Sequence, residues 1–127
     1  MTEIRKDLIK QTIEELSGLA FKGGEKYSEK AKIFFEDRYS KVLTLLPSIK
    51  KNDIGLEIGL AGGVLAFLLK RAFFLNNLYT LEHPITCKSY SKKYLDKLKQ
   101  NNIILKPVDL RLYKFPWPDN YFDFIIL

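Results

Sequence analysis

Residues 53–70 constrain the fold of this chain more than any other stretch. A short apolar run ends in Glu57, glycines follow at Gly59, Gly62 and Gly63, and an apolar segment continues to Lys70. A strand, a glycine turn and a helix in that order present backbone N–H groups and a helix N-terminus to a ligand. A dinucleotide-binding turn needs Gly-x-Gly-x-x-Gly, the last glycine letting the helix pack closely. Counted from Gly59, the later glycine positions hold Ala61 and Val64. The branched Val64 disfavours NAD, and with it a fragment of an NAD-dependent oxidoreductase. No Gly-Lys-Ser/Thr follows, so the turn is not a Walker-type phosphate cradle.

The rest of the chain reads around that turn. Residues 2–19 carry apolar side chains at Ile4, Leu8, Ile9, Ile13, Leu16 and Leu19, the spacing of an amphipathic helix. Thr2 and an acidic first turn suit its start, and Lys22-Gly-Gly-Glu25 is the expected break. A second helix is expected over 28–46, burying Ala31, Phe34, Phe35, Tyr39, Val42 and Leu46, with Pro47 ending it. These leading helices either pack onto a sheet or help close a substrate pocket. From Ile54 the pattern alternates: strand 54–58, helix 63–74, strand 78–81 closed by Glu82, helix 85–100, strand 103–105, a proline-broken loop, and strand 122–127. Such alternation predicts an α/β chain with a parallel sheet and right-handed crossovers. A length of 127 residues allows one domain. It divides into a helical segment over 1–50 and the alternating part over 51–127.

Composition excludes several function classes. The single Cys87 rules out an internal disulfide, and with one histidine no zinc cluster is expected; no metal site is assigned. No apolar stretch approaches the length that spans a bilayer. Residues 1–10 are charged and mixed rather than signal-like, so a cytoplasmic protein is the expectation. The net charge of +6 permits nucleic acid, an anionic membrane surface or acidic substrates as partners. It selects none of them, because no Lys/Arg cluster interleaved with aromatics stands out.

The acidic residue and turn at Glu57, Gly59, Ala61 and Gly63 resemble the first motif of the class I S-adenosylmethionine-dependent methyltransferases. Three further landmarks follow in register. Glu82 closes the second strand about twenty residues on, Val108-Asp109-Leu110 follows the third, and Phe115-Pro-Trp-Pro-Asp-Asn-Tyr-Phe-Asp123 leads into the fourth. The resemblance covers residues 41–127 and implies a Rossmann-like sheet of order 3-2-1-4, truncated after the fourth strand. It implies S-adenosylmethionine as cofactor, with Gly59 and Gly63 leaving room for the methionine end. Glu82 would meet the ribose hydroxyls and Asp109 the adenine amino group, with the Leu110 backbone on the ring edge. Leu60 and Leu110 either sandwich the adenine or belong to the core. His83 is a base, a ring contact or a loop residue before Pro84; Trp117 lines the pocket or covers the sheet; Cys87 reads as structural.

The resemblance implies methyl transfer to an acceptor that the residues do not identify. The family's substrate residues commonly lie beyond the fourth strand, so no catalytic residue is named. Phe122, Phe124, Ile125, Ile126 and Leu127 form an apolar run typical of a strand buried on both faces. Either the chain is a piece of a longer enzyme or that edge is covered, for which a homodimer pairing the two fourth strands is one arrangement. The alternative to an enzyme is an inactive methyltransferase-like binding or interaction module.

Overall fold

The computed structural model describes residues 2–46 and 48–127, without the side chain of Ile4. Pro47 and the Ile4 side chain, to which the sequence assigns a helix end and a core contact, lie outside the described residues. Four strands, β1 (Gly55–Ile58), β2 (Leu78–Glu82), β3 (Ile103–Pro107) and β4 (Phe124–Ile126), form an all-parallel sheet. Their order is β3-β2-β1-β4, as expected. Parallel neighbours need long crossovers. Here α3 (Val64–Ala72) links β1 to β2, and α4 (Pro84–Lys88) with α5 (Lys92–Gln100) links β2 to β3. Leu56, Leu78 and Leu81 of the strands are buried, as are Phe67, Leu68 and Leu69 of α3.

Two helices precede the sheet, α1 (Glu3–Leu16) and α2 (Glu29–Leu45), capped by the side chains of Thr2 and Ser28. The first ends earlier than the glycine pair at 23–24 suggests. Gly18 takes φ +70°, and a methyl there would press on the Lys26 nitrogen at 3.0 Å, so the chain turns at Gly18. Ile9, Ile13 and Leu16 are buried as the spacing predicts, and α1 packs against α2 and α3. Arg71 of α3 fastens it, donating to Thr12 Oγ1 at 3.1 Å and to the Glu15 carboxylate at 2.7 and 3.1 Å. Lys97 of α5 reaches the same carboxylate. On α2 the expected buried face is partly wrong. Phe34 is 60% exposed, whereas Leu43 is buried. One residue is about 100° of helix, so turning Phe35 and Tyr39 inward turns Phe34 out.

The single helix expected over 85–100 is two. Ser91 breaks it: its hydroxyl donates to the Leu19 carbonyl at 2.7 Å and caps α5 by accepting from the Tyr94 N–H. Its own N–H donates to the Ala20 carbonyl. The gap lets Tyr90 pair with Phe21 in an isolated antiparallel bridge. The fourth strand is also shorter than predicted and is not buried on both faces, since Ile125 is half-exposed. Phe122 instead joins an edge-packed aromatic group with Tyr79, Trp117 and Tyr121, and Asp123 accepts from the Ile54 N–H at 2.7 Å. Trp117 therefore covers the sheet. A methyl on Gly55 in β1 would meet the Phe124 ring beside it, which would have to move.

Docking of α1 depends on pH in a defined direction. The Arg71 guanidinium holds the Glu15 carboxyl down to about 2 from its ordinary 4.5, against an opposing effect of burial. A depressed carboxyl stabilises the fold above its unfolded pKa and loses that contribution as pH falls through its folded one. An Arg71→Met variant should therefore unfold at lower urea than the parent at pH 7. The two midpoints should converge between about pH 4.5 and 2. A gap of equal size at both ends would remove this ion pair from the account.

Candidate functional site

The turn from β1 to α3 is built on left-handed backbone. Gly59 has φ +91°, Ala61 +48° and Gly63 +85°. The Gly59 N–H donates to the Leu81 carbonyl at 2.8 Å, tying the turn to the end of β2. A methyl on Gly59 would meet nothing within 4 Å, so this glycine faces open space. Gly63 differs from the expectation. The space beside it is filled by the Tyr94 ring and hydroxyl, which donates to the Ala61 carbonyl at 3.2 Å. Gly63 is thus glycine for the sake of a protein side chain, and Tyr94 goes unmentioned by the motif. Gly62, also passed over, faces the Tyr27 hydroxyl.

Glu57 is 4% exposed in the middle of the sheet, and its Oε1 has no hydrogen-bond partner among the described residues. It lines a cavity of about 400 Å³ together with Gly59, Tyr27, Phe35, Arg38 and Tyr39. The four last-named come from the leading segment, which therefore helps to enclose the site as well as to pack. Burial, and then the charge of Glu82, push the Glu57 carboxyl up to about 8. Removing an isolated charge from water disfavours the charged form.

Glu82 braces the turn from the next strand. Its Oε2 accepts from the Ala61 N–H at 3.1 Å and its Oε1 from the His83 N–H at 2.9 Å. The Tyr90 hydroxyl points at Oε2 from 3.5 Å. Burial raises the phenols of both Tyr90 and Tyr94 well above the ordinary range, so both act as donors at neutral pH.

Asp109, at the end of β3, is buried and fully engaged. Arg111 donates to it through its backbone N–H at 3.0 Å, Nε at 3.1 Å and a terminal nitrogen at 2.9 Å. His83 adds a contact at 3.1 Å. The His83 Nδ1 accepts from the Ile85 N–H at 3.1 Å, so Nε2 carries the proton and donates to Asp109. His83 is thus the cap of α4 and a partner of Asp109. The Arg111 guanidinium, more than any other neighbour, holds the Asp109 carboxyl well below the usual carboxylate range. Asp109 and Arg111 line a second cavity, of about 260 Å³, with Gly59, Glu82, His83 and Leu110. Leu60 is buried and lines the first cavity, whereas Leu110 is exposed and lines the second, so the two do not frame one ring slot.

All seven expected site residues therefore stand at adjoining C-terminal strand ends, around cavities that share Ile58 and Gly59. Tyr27, Arg38, Tyr90, Tyr94 and Arg111 are the additions. Only the four-residue spacing of Tyr90 and Tyr94 gives a signal in the sequence. Among the described residues no group of three or more His, Cys, Asp or Glu side chains could hold a metal ion. No helix among them is long and apolar enough to cross a membrane.

No model of a known family matches the sequence, and no curated protein does. Solved structures do match. A protein provisionally named sarcosine dimethylglycine methyltransferase from Galdieria sulphuraria shares 19% identity at a TM-score of 0.53, over 97% of this chain and 47% of that one. Coclaurine N-methyltransferase, bound to N-methylheliamine and SAH, shares 15% at 0.51, over 98% of this chain and 34% of that one. The [4+2]-cyclase SpnF shares 15% at 0.54, over 94% of this chain and 45% of that one. The chain has the Rossmann-like fold of the class I methyltransferases and spans between a third and a half of the length of these structures.

The two positive-φ glycines separate strain from collision. Gly59→Ala should cost only the left-handed backbone, about 1–2 kcal/mol. Gly63→Ala carries that strain and the clash with Tyr94, for which overpacking adds about 1–3 kcal/mol. Urea unfolding should rank the parent above Gly59→Ala and that variant above Gly63→Ala. Equal losses would mean that Tyr94 yields freely.

Proposed function

We propose that this chain binds S-adenosylmethionine across the ends of β1, β2 and β3, as the cofactor-binding part of a methyltransferase. One observation carries the reading: Glu57, Glu82 and Asp109 stand at the ends of three adjacent strands, around a turn with an open glycine. A ligand with a cationic head, vicinal hydroxyls and an amino-bearing ring suits three carboxylates in a row. A pyrophosphate does not.

The residues fit that cofactor part by part. Glu57, with its orphaned oxygen, would hold the α-ammonium, and the backbone of Gly59, Ala61 and Gly63 would border the methionine end. Glu82 keeps lone pairs free beside its two backbone contacts and would accept from the ribose hydroxyls, a charge-assisted pairing. Asp109 would hold the adenine amine in place of one of its present donors, His83 or Arg111, with the Leu110 backbone at the ring edge. When bound, the cofactor supplies an electrophilic methyl group. What this chain supplies is position, since methyl transfer gains chiefly from alignment of nucleophile and leaving group. The acceptor stays unassigned, and no residue described here is assigned as its base. Coclaurine N-methyltransferase carries SAH on this fold, which supports the choice of ligand.

One observation favours a second reading, in which the fold serves binding or another reaction: the [4+2]-cyclase SpnF shares it at a similar TM-score. Neither a homodimer through β4 nor a nucleic-acid partner gains an observation of this kind.

Calorimetric titration tests the cofactor reading. Micromolar binding of S-adenosylmethionine and none of NAD is the expected outcome. Glu82→Ala should weaken that binding by about 10- to 100-fold, the loss of charged hydrogen bonds worth about 1.5–3 kcal/mol. Unchanged affinity in Glu82→Ala would sink the ribose assignment, and no binding by the parent would sink the cofactor.

A further inference from the structure

We propose that Glu57 is a proton-linked receptor for the cofactor's cationic end: its carboxyl is neutral in the ligand-free chain and gives up its proton as the α-ammonium enters the cavity. The inference rests on the S-adenosylmethionine reading and adds a regulation of binding to it.

Geometry comes first. Glu57 pairs with Thr80 of β2 and Ile126 of β4, so it sits on a central strand with a neighbour on either side. It is 4% exposed, its Oε1 has no partner, and it lines the cavity beside the glycine turn. Among the described residues no cation forms an ion pair with it, and the nearest charge acting on it is the Glu82 carboxylate. From β2 it faces the carboxylate of Glu82; from the α4–α5 corner, the phenols of Tyr90 and Tyr94; from α2, the phenol of Tyr39. Tyr27 and Arg38 also line the cavity, and Arg38 is exposed, lying 5.9 Å from the Tyr39 ring centroid. A carboxyl so placed is cheaper as the neutral acid until a cation arrives. Its ordinary range is raised accordingly, to about 8.

The exchange balances simply. The carboxylic O–H breaks, its proton leaves to solvent, and the carboxylate formed accepts an N–H of the incoming ammonium. No oxidant or co-reactant is needed. The sign follows from linkage: a proton released on binding makes affinity rise with pH, about tenfold per unit well below the ligand-free pKa. The ligand's own α-amino group titrates at about 7.7–8.0, so the decisive window lies below ~pH 7.

The test is calorimetric titration with S-adenosylmethionine at pH 6.5 in two buffers of different ionisation enthalpy, repeated from pH 6 to 7. The parent should release close to one proton per ligand and gain about tenfold in affinity over that unit. Glu57→Gln should bind with no proton release and no pH dependence in this window. 5′-Methylthioadenosine, which has the adenosine but no ammonium, should bind the parent without releasing a proton. Parent binding without proton exchange overturns the proposal, as does equal release by Glu57→Gln or with 5′-methylthioadenosine. If Glu57→Gln fails to fold, the two-buffer comparison and 5′-methylthioadenosine decide on the parent alone. Absence of S-adenosylmethionine binding at every pH takes down the cofactor reading itself, a result distinct from binding without proton exchange.

Discussion

The site depends on a turn that is held from outside itself. Ala61, at its apex, has a left-handed backbone, unfavourable for a residue with a Cβ. Both of its backbone polar groups are occupied: Glu82 takes the N–H and Tyr94 gives to the carbonyl. These bonds come from β2 and α5, so the strained conformation is fixed by two separate elements before any ligand arrives. A loop already in its binding geometry loses little further conformational freedom on association. Gly63 belongs to the same arrangement, since only a residue without a Cβ lets Tyr94 reach Ala61.

That bracing extends into the N-terminal segment. Tyr94 begins on a helix capped by Ser91, and Ser91 is bonded to Leu19 and Ala20. The Tyr90 ring lies tilted against Phe21 at 5.2 Å and edge-on to Tyr94 at 5.0 Å, and its hydroxyl faces Glu82. Arg71 and Lys97 hold α1 to α3 and α5 through Glu15. The leading helices therefore reach the turn through packed side chains, and α2 supplies one wall of the cavity besides. Packing and enclosure, which stand as alternatives in the sequence, are performed by the same segment.

Legibility divides along the range of the interactions. Apolar periodicity and glycine placement are local, so the strands, the turn and the carboxylates at the strand ends could be read directly, whereas the strand order followed only from the resemblance to the methyltransferase family. The break at Ser91 could not, because it depends on Leu19 and Ala20, about seventy residues away in sequence. The exposure of Phe34 and the brevity of β4 also escaped, since spacing alone does not say which of two adjacent aromatics turns inward. Gly55 looked like an ordinary strand residue until Phe124 lay beside it. Arg111 is the missed residue closest to the chemistry. Its bond to Asp109 is an Asx-type turn that the pair's i, i+2 spacing permits but does not announce.

Charge discriminates between ligands more firmly than the turn's steric pattern does. Val64, whose branching argues against a dinucleotide in the sequence, is buried in the core at the start of α3, so its bulk is largely spent on packing. The carboxylates behave differently from one another although the chain as a whole carries +6. Asp109 is compensated by Arg111 and Glu82 by backbone N–H groups, whereas Glu57 Oε1 has no hydrogen-bond partner among the described residues. An anionic ligand approaching the turn would meet the Glu82 carboxylate, although Arg38 and Arg111 also line the two cavities. A cationic one would give a partner to Glu57 Oε1, which has none among the described residues. On the proposed reading, the unpartnered oxygen of Glu57 favours a cationic group, and the glycines decide how closely it can approach.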